Sequence, residues 1–440
     1  MGEKDNRSNR GNIVFFAANQ FWPVWGKVRI LWVKADKLLP VHSGGNIRSY
    51  NIARGLNSQN ALTFLSYYDG PRDEGYEAEL KRHFPDSVCL CRGTRSKSLP
   101  ARALDYLVRF SSEGPYAVSR FASSQVRERL KEWFQERCFD VVVCDFLDAA
   151  VNFPKKITIP TVLFQHNVES EIWRRHALVQ SNPAKKLLYQ VEFAKMLRYE
   201  RKMVKQFQHV IAVSEHDREL MSRWVEPSRI TIVPTGVDLR QFEAKFPGTE
   251  TENLVIFVGA MDWEPNIDAV QYFCQEIWPS VRARIPGARF RIVGRNPDRR
   301  VQKLAGESVE VTGSVPSIVD HLHAAALVVV PLRIGGGTRL KIYEAMATGK
   351  AVVSTSVGAE GLNVHHGKDI VLADDATSFS ESMVTLLRDE PLRRGYEQSA
   401  AALAVQYDWA TISEKFLSVL RSLAGDVPIM HRQYASATEV

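Results

Sequence analysis

Residues 331–355, PLRIGGGTRLKIYEAMATGKAVVST, join several features that suit a phosphate. An apolar run ends at Leu332, and Gly335, Gly336 and Gly337 let the backbone approach a ligand closely. Thr338, Arg339 and Lys341 then open a helical stretch. Helix N-termini attract anions through unpaired N–H groups, and Arg and Lys add full positive charges. Glu344, three residues after Lys341, has the reach to accept hydrogen bonds from a ribose diol. A glycine-rich turn with solvated cations is the plainer reading of the same residues.

Other strand-to-helix junctions carry weaker signals. Gly44 and Gly45 in HSGGNIRSYNIARGL precede a helix, but no GxGxxG dinucleotide fingerprint is present. His166 in FQHNVESEIWRR ends an expected strand, where its imidazole could face a cleft; an isolated His is more often structural. Asp145 and Asp148 in CDFLDAA suit either contact with an acceptor or capping of the next helix. His365 and His366 stand without a Cys or carboxylate cluster, so no metal site is expected.

These junctions need a scaffold. At 440 residues and 49.7 kDa the chain exceeds one ordinary core, and ~150 residues per domain gives two or three. Hydrophobic residues at 45% with charged ones at 24% exclude a disordered, collagenous or polytopic membrane chain. Short β-branched runs alternate with helix-period segments, the pattern of parallel sheets wrapped by helices. Strands are expected at 28–33, 61–68, 141–146, 161–167 and 209–214. A second series is expected at 253–261, 289–294, 309–315, 326–332, 351–358 and 369–374. The fold class is therefore α/β, with two Rossmann-like, doubly wound domains. The expected division is an extension at 1–27, an N-terminal domain at 28–238, a turn-rich linker at 239–252 and a C-terminal domain at 253–405. A helix at 406–425 packs back toward the N-terminal domain, and 426–440 form a loose tail. After Asn182 and Pro183, Ala184, Leu187, Leu188, Val191, Ala194 and Leu197 recur at helical spacing and are expected to form one buried stripe opposite a basic face.

EAMATGKAVVSTSVGAEGL, the strand before it and PTGVD at 234–238 resemble the retaining glycosyltransferases of family 4, the group 1 glycosyl transferases, over about Val28 to Leu423. The resemblance implies the GT-B fold, with two domains facing each other across a cleft. It implies a UDP-sugar or GDP-sugar donor on the C-terminal domain, a glycan or lipid-linked acceptor on the N-terminal domain, and no metal or other cofactor. Glu344 matches the second of two family glutamates and is expected on the ribose; the first falls on Gly336, so one carboxylate near the donor sugar is missing. In GAMDWEPN, Ala260 and Pro265 stand where the family has two phosphate-binding cations. Arg295, Arg339 and Lys341 are the available replacements, as in a sub-branch with a GGGTRLK loop and a WxPN turn. By the same resemblance Gly335, Gly336, Gly337 and Thr338 belong to the donor loop, and Val315, with Gly313 and Pro316, to the loop against the base. Gly44 and Gly45 approach the donor phosphate or the acceptor. His166 is the catalytic-site histidine, orienting a sugar hydroxyl or backbone rather than acting as the base. The implied function is transfer of a hexose with retention, in polysaccharide or lipid-linked glycan assembly. A catalytically silent subunit that binds nucleotide sugar or a partner transferase is the alternative that Gly336 and Ala260 leave open.

Lys and Arg outnumber Asp and Glu by 57 to 50, a net charge of +7. The excess is clustered: Arg92 to Arg109 hold five cations, and Arg174 to Lys205 hold nine. Such clusters suit a peripheral hold on an anionic membrane or a polyanionic acceptor, or are solvated helix faces. No nucleic-acid module is recognisable, so no nucleic-acid partner is expected. Five cysteines, an odd count without CxxC, and a polar start without an export signal fit a cytoplasmic place, at the inner face of a membrane if the basic clusters dock there.

Overall fold

Apolar runs such as RILWVKA and VVVCD leave no polar face for solvent, so they are stable only as inner strands of a parallel sheet covered by helices on both sides. The structure, a computed structural model, describes residues 27–41, 43–93, 105–106, 108, 114–180, 182–244, 250–334 and 340–425. Strands β1 (Arg29–Ala35), β2 (Ala61–Tyr68), β3 (Ser87–Cys91), β4 (Val141–Asp145), β5 (Thr161–Phe164), β6 (His209–Ala212) and β7 (Ile230–Ile232) pair in parallel in the order β3-β2-β1-β4-β5-β6-β7. Strands β8 (Leu254–Val258), β9 (Arg289–Val293), β10 (Val309–Gly313), β11 (Leu327–Val330), β12 (Val352–Ser354) and β13 (Val371–Leu372) form a second parallel sheet in the order β10-β9-β8-β11-β12-β13. Winding reverses between β1 and β4 and between β8 and β11. Loops that diverge at such points open a crevice at the carboxyl ends of the strands.

Alternate side chains of the first sheet enter different cores. Leu31, Val33, Val142 and Leu163 bury one face, while Ile30, Trp32, Phe64 and Phe164 bury the other. The second face is covered by the last helix of the chain, Trp409–Ala424, whose Phe416 ring lies 5.5 Å from Trp32 and 5.2 Å from Phe164. Edge strands β3 and β7 fall outside the expected set. SVCLC is mostly half-buried, and ITI is three residues long, so neither has the apolar length that marks an inner strand.

One expectation fails clearly. In the helix Pro183–Gln206, Ala184, Leu187, Leu188 and Ala194 are exposed, and Val191 and Leu197 are half-buried. The buried residues are Glu192, Met196, Glu200, Met203 and Val204. Two carboxylates turn the helix. Glu192 accepts from Tyr106 Oη at 3.0 Å and the Tyr116 N–H at 3.1 Å. Glu200 caps the neighbouring helix Glu169–Val179, accepting from the Glu169 N–H at 2.8 Å, the Ser170 N–H at 3.0 Å and Ser170 Oγ at 2.5 Å. The carboxylates face inward because they satisfy the N–H groups of Tyr116, Glu169 and Ser170, and a buried donor left without a partner costs about 1–3 kcal/mol.

The chain passes between the two sheets twice, and the crossings are stitched together. The Val237 N–H donates to Tyr407 O at 2.8 Å, and the Trp409 N–H donates to Val237 O at 3.3 Å. Gly236 permits this approach: a Cβ there would lie 2.6 Å from the Trp409 ring and 2.9 Å from Tyr407 O. Gly236→Ala is therefore expected to destabilise the fold by about 1–3 kcal/mol, the usual cost of forcing one carbon into a full site, read as a lowered midpoint in urea unfolding. An unchanged midpoint would mean that the crossing relaxes freely.

Candidate active site

The carboxyl ends of both sheets face an open cleft of about 1060 Å³. Its N-terminal wall carries Lys34, Gly44, Gly45, Arg48, Asp145, Asp148 and His166; the opposite wall carries Gly259, Trp263, Asn266, Arg295, Val315, Lys341 and Glu344.

The N-terminal wall is organised by charge. Asp145 ends β4 with 1% of its surface exposed, and Lys34 of β1 brings an ammonium within 3.2 Å of its Oδ2. Trp32 Nε1–H donates to the same oxygen at 3.0 Å, and His166 Nε2 lies 2.6 Å from Oδ1. Burial opposes the Asp145 charge, but Lys34 and the His166 hydrogen bond outweigh it and hold the carboxyl well below the usual range. An ionised acceptor at Oδ1 requires the proton on His166 Nε2. Burial pushes the His166 pKa down to about 4 despite Asp145, so the ring is neutral and Nδ1 is an acceptor, which Arg48 Nη1 approaches at 3.5 Å. Arg48, 4% exposed, donates to His166 O at 3.1 Å and to Thr235 Oγ1 at 2.6 Å. The PTGVD segment thus serves as an anchor for a buried cation. Burial lowers the Arg48 pKa to about 10.

Local backbone geometry supports this wall. Phe146 follows β4 with φ of 76°, a conformation that costs a non-glycine residue roughly 1–3 kcal/mol. The turn directs Asp145 inward and sets Asp148 on the cleft surface, where burial pushes its pKa up to about 6. Gly44 and Gly45 open the helix Gly44–Asn57, capped by Ser43, whose Oγ accepts from the Asn46 N–H at 3.2 Å. A Cβ on Gly44 would meet Leu340 Cδ1 of the other wall at 3.9 Å, and one on Gly45 would meet His166 Nδ1 at 3.9 Å. The glycine turn is therefore a place where the two walls come close.

On the C-terminal wall, Lys341 of the helix Leu340–Ala347 reaches back to the loop after β8. Its Nζ donates to Asn266 Oδ1 at 2.9 Å and lies 4.1 Å from the centre of the Phe257 ring. Asn266 is itself fixed, donating from Nδ2 to Ala260 O at 2.8 Å. Gly259 gives the ammonium room: a Cβ there would lie 2.9 Å from Lys341 Nζ and 2.7 Å from Asn266 Nδ2. A cation thus stands beside the 259–266 segment although Ala260 and Pro265 supply none. Glu344 faces the cleft one turn along the helix, and burial pushes its carboxyl up to about 7 against the pull of Lys341. Arg295 is exposed on the rim and Val315 half-buried in the wall. Gly335, Gly336, Gly337, Thr338 and Arg339 lie outside the described residues. Among the described residues no group of three or more His, Cys, Asp or Glu is placed to hold a metal.

Residues 43–241 match the family described as Glycosyltransferase Family 4, and residues 252–389 match Glycosyl transferases group 1. Between them the two matches take in well over half of the chain. The protein belongs to the family 4, group 1 glycosyltransferases. Among curated proteins it is similar to the phosphatidyl-myo-inositol mannosyltransferase of Mycolicibacterium smegmatis, 27% identical over 71% of this chain and 78% of that protein. A lipopolysaccharide core biosynthesis mannosyltransferase, LpsB of Rhizobium meliloti, is 24% identical over 43% of this chain and 61% of its own. Among solved structures, Anabaena Alr3699/HepE in complex with UDP-glucose superposes with a TM-score of 0.61 at 15% identity, over 90% of this chain and all of that one. The two doubly wound domains are the GT-B fold.

Three residues of this glycosyltransferase's cleft escaped the sequence reading: Lys34, Arg48 and Asn266. Lys34 and Asp145 did carry a signal, since a charged residue inside or ending an apolar strand is rarely buried without a partner. Arg48 and Asn266 look like ordinary surface residues of a helix until their partners, distant in sequence, are known.

The His166 geometry makes a pH prediction. Its folded pKa lies below its unfolded value of 6.5, so its contribution to stability is full above pH 6.5 and is lost as pH falls through about 4. By NMR, His166 should stay neutral from pH 8 to pH 5. A His166 ring titrating near 6.5 would show that the ring is not buried in this wall.

Proposed function

We propose that this glycosyltransferase moves a hexose, with retention, from a UDP-sugar or GDP-sugar to an acceptor in polysaccharide or lipid-linked glycan assembly. The observation that carries this reading is the pairing of Lys341 and Glu344 on one wall with a neutral His166 on the other. Lys341, with Arg295 and Arg339, would offset the diphosphate charge. Glu344 would accept from the ribose diol, and Val315 would pack on the base. Gly335, Gly336, Gly337 and Thr338 would complete the donor loop, and Gly44 and Gly45 would let the sugar end approach the N-terminal wall. His166, its Nε2–H committed to Asp145, would accept from a sugar hydroxyl at Nδ1 in place of the long 3.5 Å contact from Arg48 Nη1, but is a poor base at neutral pH. The proton of the attacking hydroxyl would then pass to the departing phosphate oxygen. In this reading no metal or other cofactor is needed, because cationic side chains face the phosphates.

The relatives lend support. Two are named mannosyltransferases, which suits a hexose, and the Anabaena structure holds UDP-glucose, which suits a uridine nucleotide. The named activities, on a phosphatidyl-inositol and on a lipopolysaccharide core, suit a lipid-linked or glycan acceptor and a cytoplasmic place at a membrane face. A silent nucleotide-sugar-binding subunit is favoured by Gly336 alone, since Lys341 stands where Ala260 would otherwise leave the phosphate uncompensated.

The deciding experiment is a panel of nucleotide sugars, with thermal stabilisation and donor hydrolysis measured together. One UDP- or GDP-sugar should do both; stabilisation without hydrolysis or transfer to any acceptor would favour the silent subunit, and no stabilisation by any member would remove the reading. Two variants probe the roles. Gly259→Ala should displace the Lys341 ammonium and weaken UDP or GDP binding roughly tenfold while the free nucleoside is held as before. Binding a ribose diol favours ionised Glu344, whose pKa is raised, so donor affinity should rise with pH through about 7. That is about tenfold between pH 6 and pH 8, because nucleotide-sugar phosphates do not titrate there. Glu344→Gln should abolish the pH dependence; its persistence would assign the titration to another group.

A further inference from the structure

We propose that the hairpin formed by the helices Glu169–Val179 and Pro183–Gln206 is a membrane-docking element whose tip enters an anionic lipid surface. Either side of the turn that joins them, the two helices expose leucines where a folded protein normally does not. Leu178 is 63% exposed, Leu187 62% and Leu188 41%, and Ala184 beside them is also exposed. Directly below the tip, Tyr189 packs against Trp173 at 6.0 Å and His176 at 5.8 Å, so the two helix ends are held together. The leucines are therefore presented on a supported end.

The charge around them identifies the partner. Between Glu171 and Glu192 the sequence has no Asp or Glu. The 24-residue helix Pro183–Gln206 contains two carboxylates, Glu192 and Glu200, and both are buried and hydrogen-bonded inward. What it exposes is cationic: Lys185 and Lys186 beside the leucines, then Arg198, Arg201 and Lys205 along its length. A surface with exposed leucines next to lysines and no exposed carboxylate fits the headgroup boundary of an anionic bilayer, where methyl groups go under and ammonium groups meet phosphate. A second copy of this chain would bring like charge against like charge, and is disfavoured.

The element is also placed to serve the cleft. The helix Glu169–Val179 begins three residues after His166 and is eleven residues long, about 16 Å at 1.5 Å per residue. Docking at its far end holds the N-terminal wall at a short fixed distance from the lipid, within reach of an acceptor that is itself membrane-anchored. The docking surface is separate from the cleft and does not depend on the donor assignment.

The test is flotation of the full chain with phosphatidylcholine vesicles that contain or lack phosphatidylglycerol, at low and high salt and without nucleotide. The wild-type protein should float only with the anionic vesicles, and less at high salt. Leu187→Ser with Leu188→Ser, and separately Lys185→Glu with Lys186→Glu, should each lower the partition about tenfold or more. Both pairs change only exposed side chains, and an unchanged unfolding midpoint will show that the fold is intact. Wild-type protein that stays with the pellet fraction in anionic vesicles, or leucine variants that float like wild type, would overturn the proposal. So would light scattering that finds a dimer without lipid which the leucine variants convert to monomer, since the tip would then be an interface between copies. Vesicle binding that survives while no nucleotide sugar binds would leave the docking surface standing and remove only the donor reading.

Discussion

A carboxylate inside an apolar sheet must be neutralised by its neighbours, and much of the N-terminal wall can be understood as the answer to Asp145. Its two oxygens draw Trp32 and Lys34 from β1 and His166 from the loop after β5. Three adjacent strand ends are thereby tied at one point, where the winding of the sheet reverses and a crevice has to form. The tie also decides the chemistry of His166. With Nε2–H committed and the ring buried, it is a neutral acceptor, and Arg48 secures its carbonyl from the other side. Removing one partner would leave a buried charge uncompensated, which is why such networks are kept whole or not at all.

The cleft separates charges by depth. Three of its cations are engaged: Lys34 with Asp145, Arg48 with Thr235 and His166, Lys341 with Asn266 and the Phe257 ring. Two carboxylates that face the cavity, Asp148 and Glu344, have pKa values pushed up by burial, to about 6 and about 7. An anionic ligand with donor hydroxyls would reverse both costs, supplying negative charge to the cations and hydrogen bonds to the carboxylates. That complementarity, more than any single residue, suits a sugar linked to a diphosphate. Lys341 brings a cation to the 259–266 segment from the facing helix, through space left by Gly259.

The walls belong to bodies that are linked without being merged. The chain crosses between them twice in hydrogen-bonded register near Val237 and Trp409, and its last helix returns to cover Trp32 and Phe164. On the other side of the cleft a second tie is ionic. Arg175, on the helix that starts beside His166, meets Glu360 of the second domain with two hydrogen bonds of 2.6 and 2.8 Å. A tight stitched crossing and a part-exposed ion pair differ in strength, so relative motion of the domains would open at the ion pair and bend at the crossing.

The pattern of apolar runs determined the inner strands of both sheets but not the edge strands β3 and β7, because a doubly covered parallel strand must be apolar on each face and an edge strand need not be. Glycine-rich junctions and the group 1 motif pointed to the cleft and to Glu344, Lys341 and His166 for the same local reason: each stands at a strand end or helix start that the sequence marks directly. Sequence alone could not tell that His166 is neutral, because its tautomer depends on Asp145, twenty-one positions away. Nor could it tell which face of Pro183–Gln206 is buried. Helical spacing favours the leucines, yet the partners of Glu192 and Glu200 come from segments distant along the chain and rotate the helix to bring those carboxylates inside. In this helix the long-range hydrogen bonds outweigh the segment's own pattern, since the N–H groups that Glu192 and Glu200 satisfy would lose their partners if the leucines turned inward.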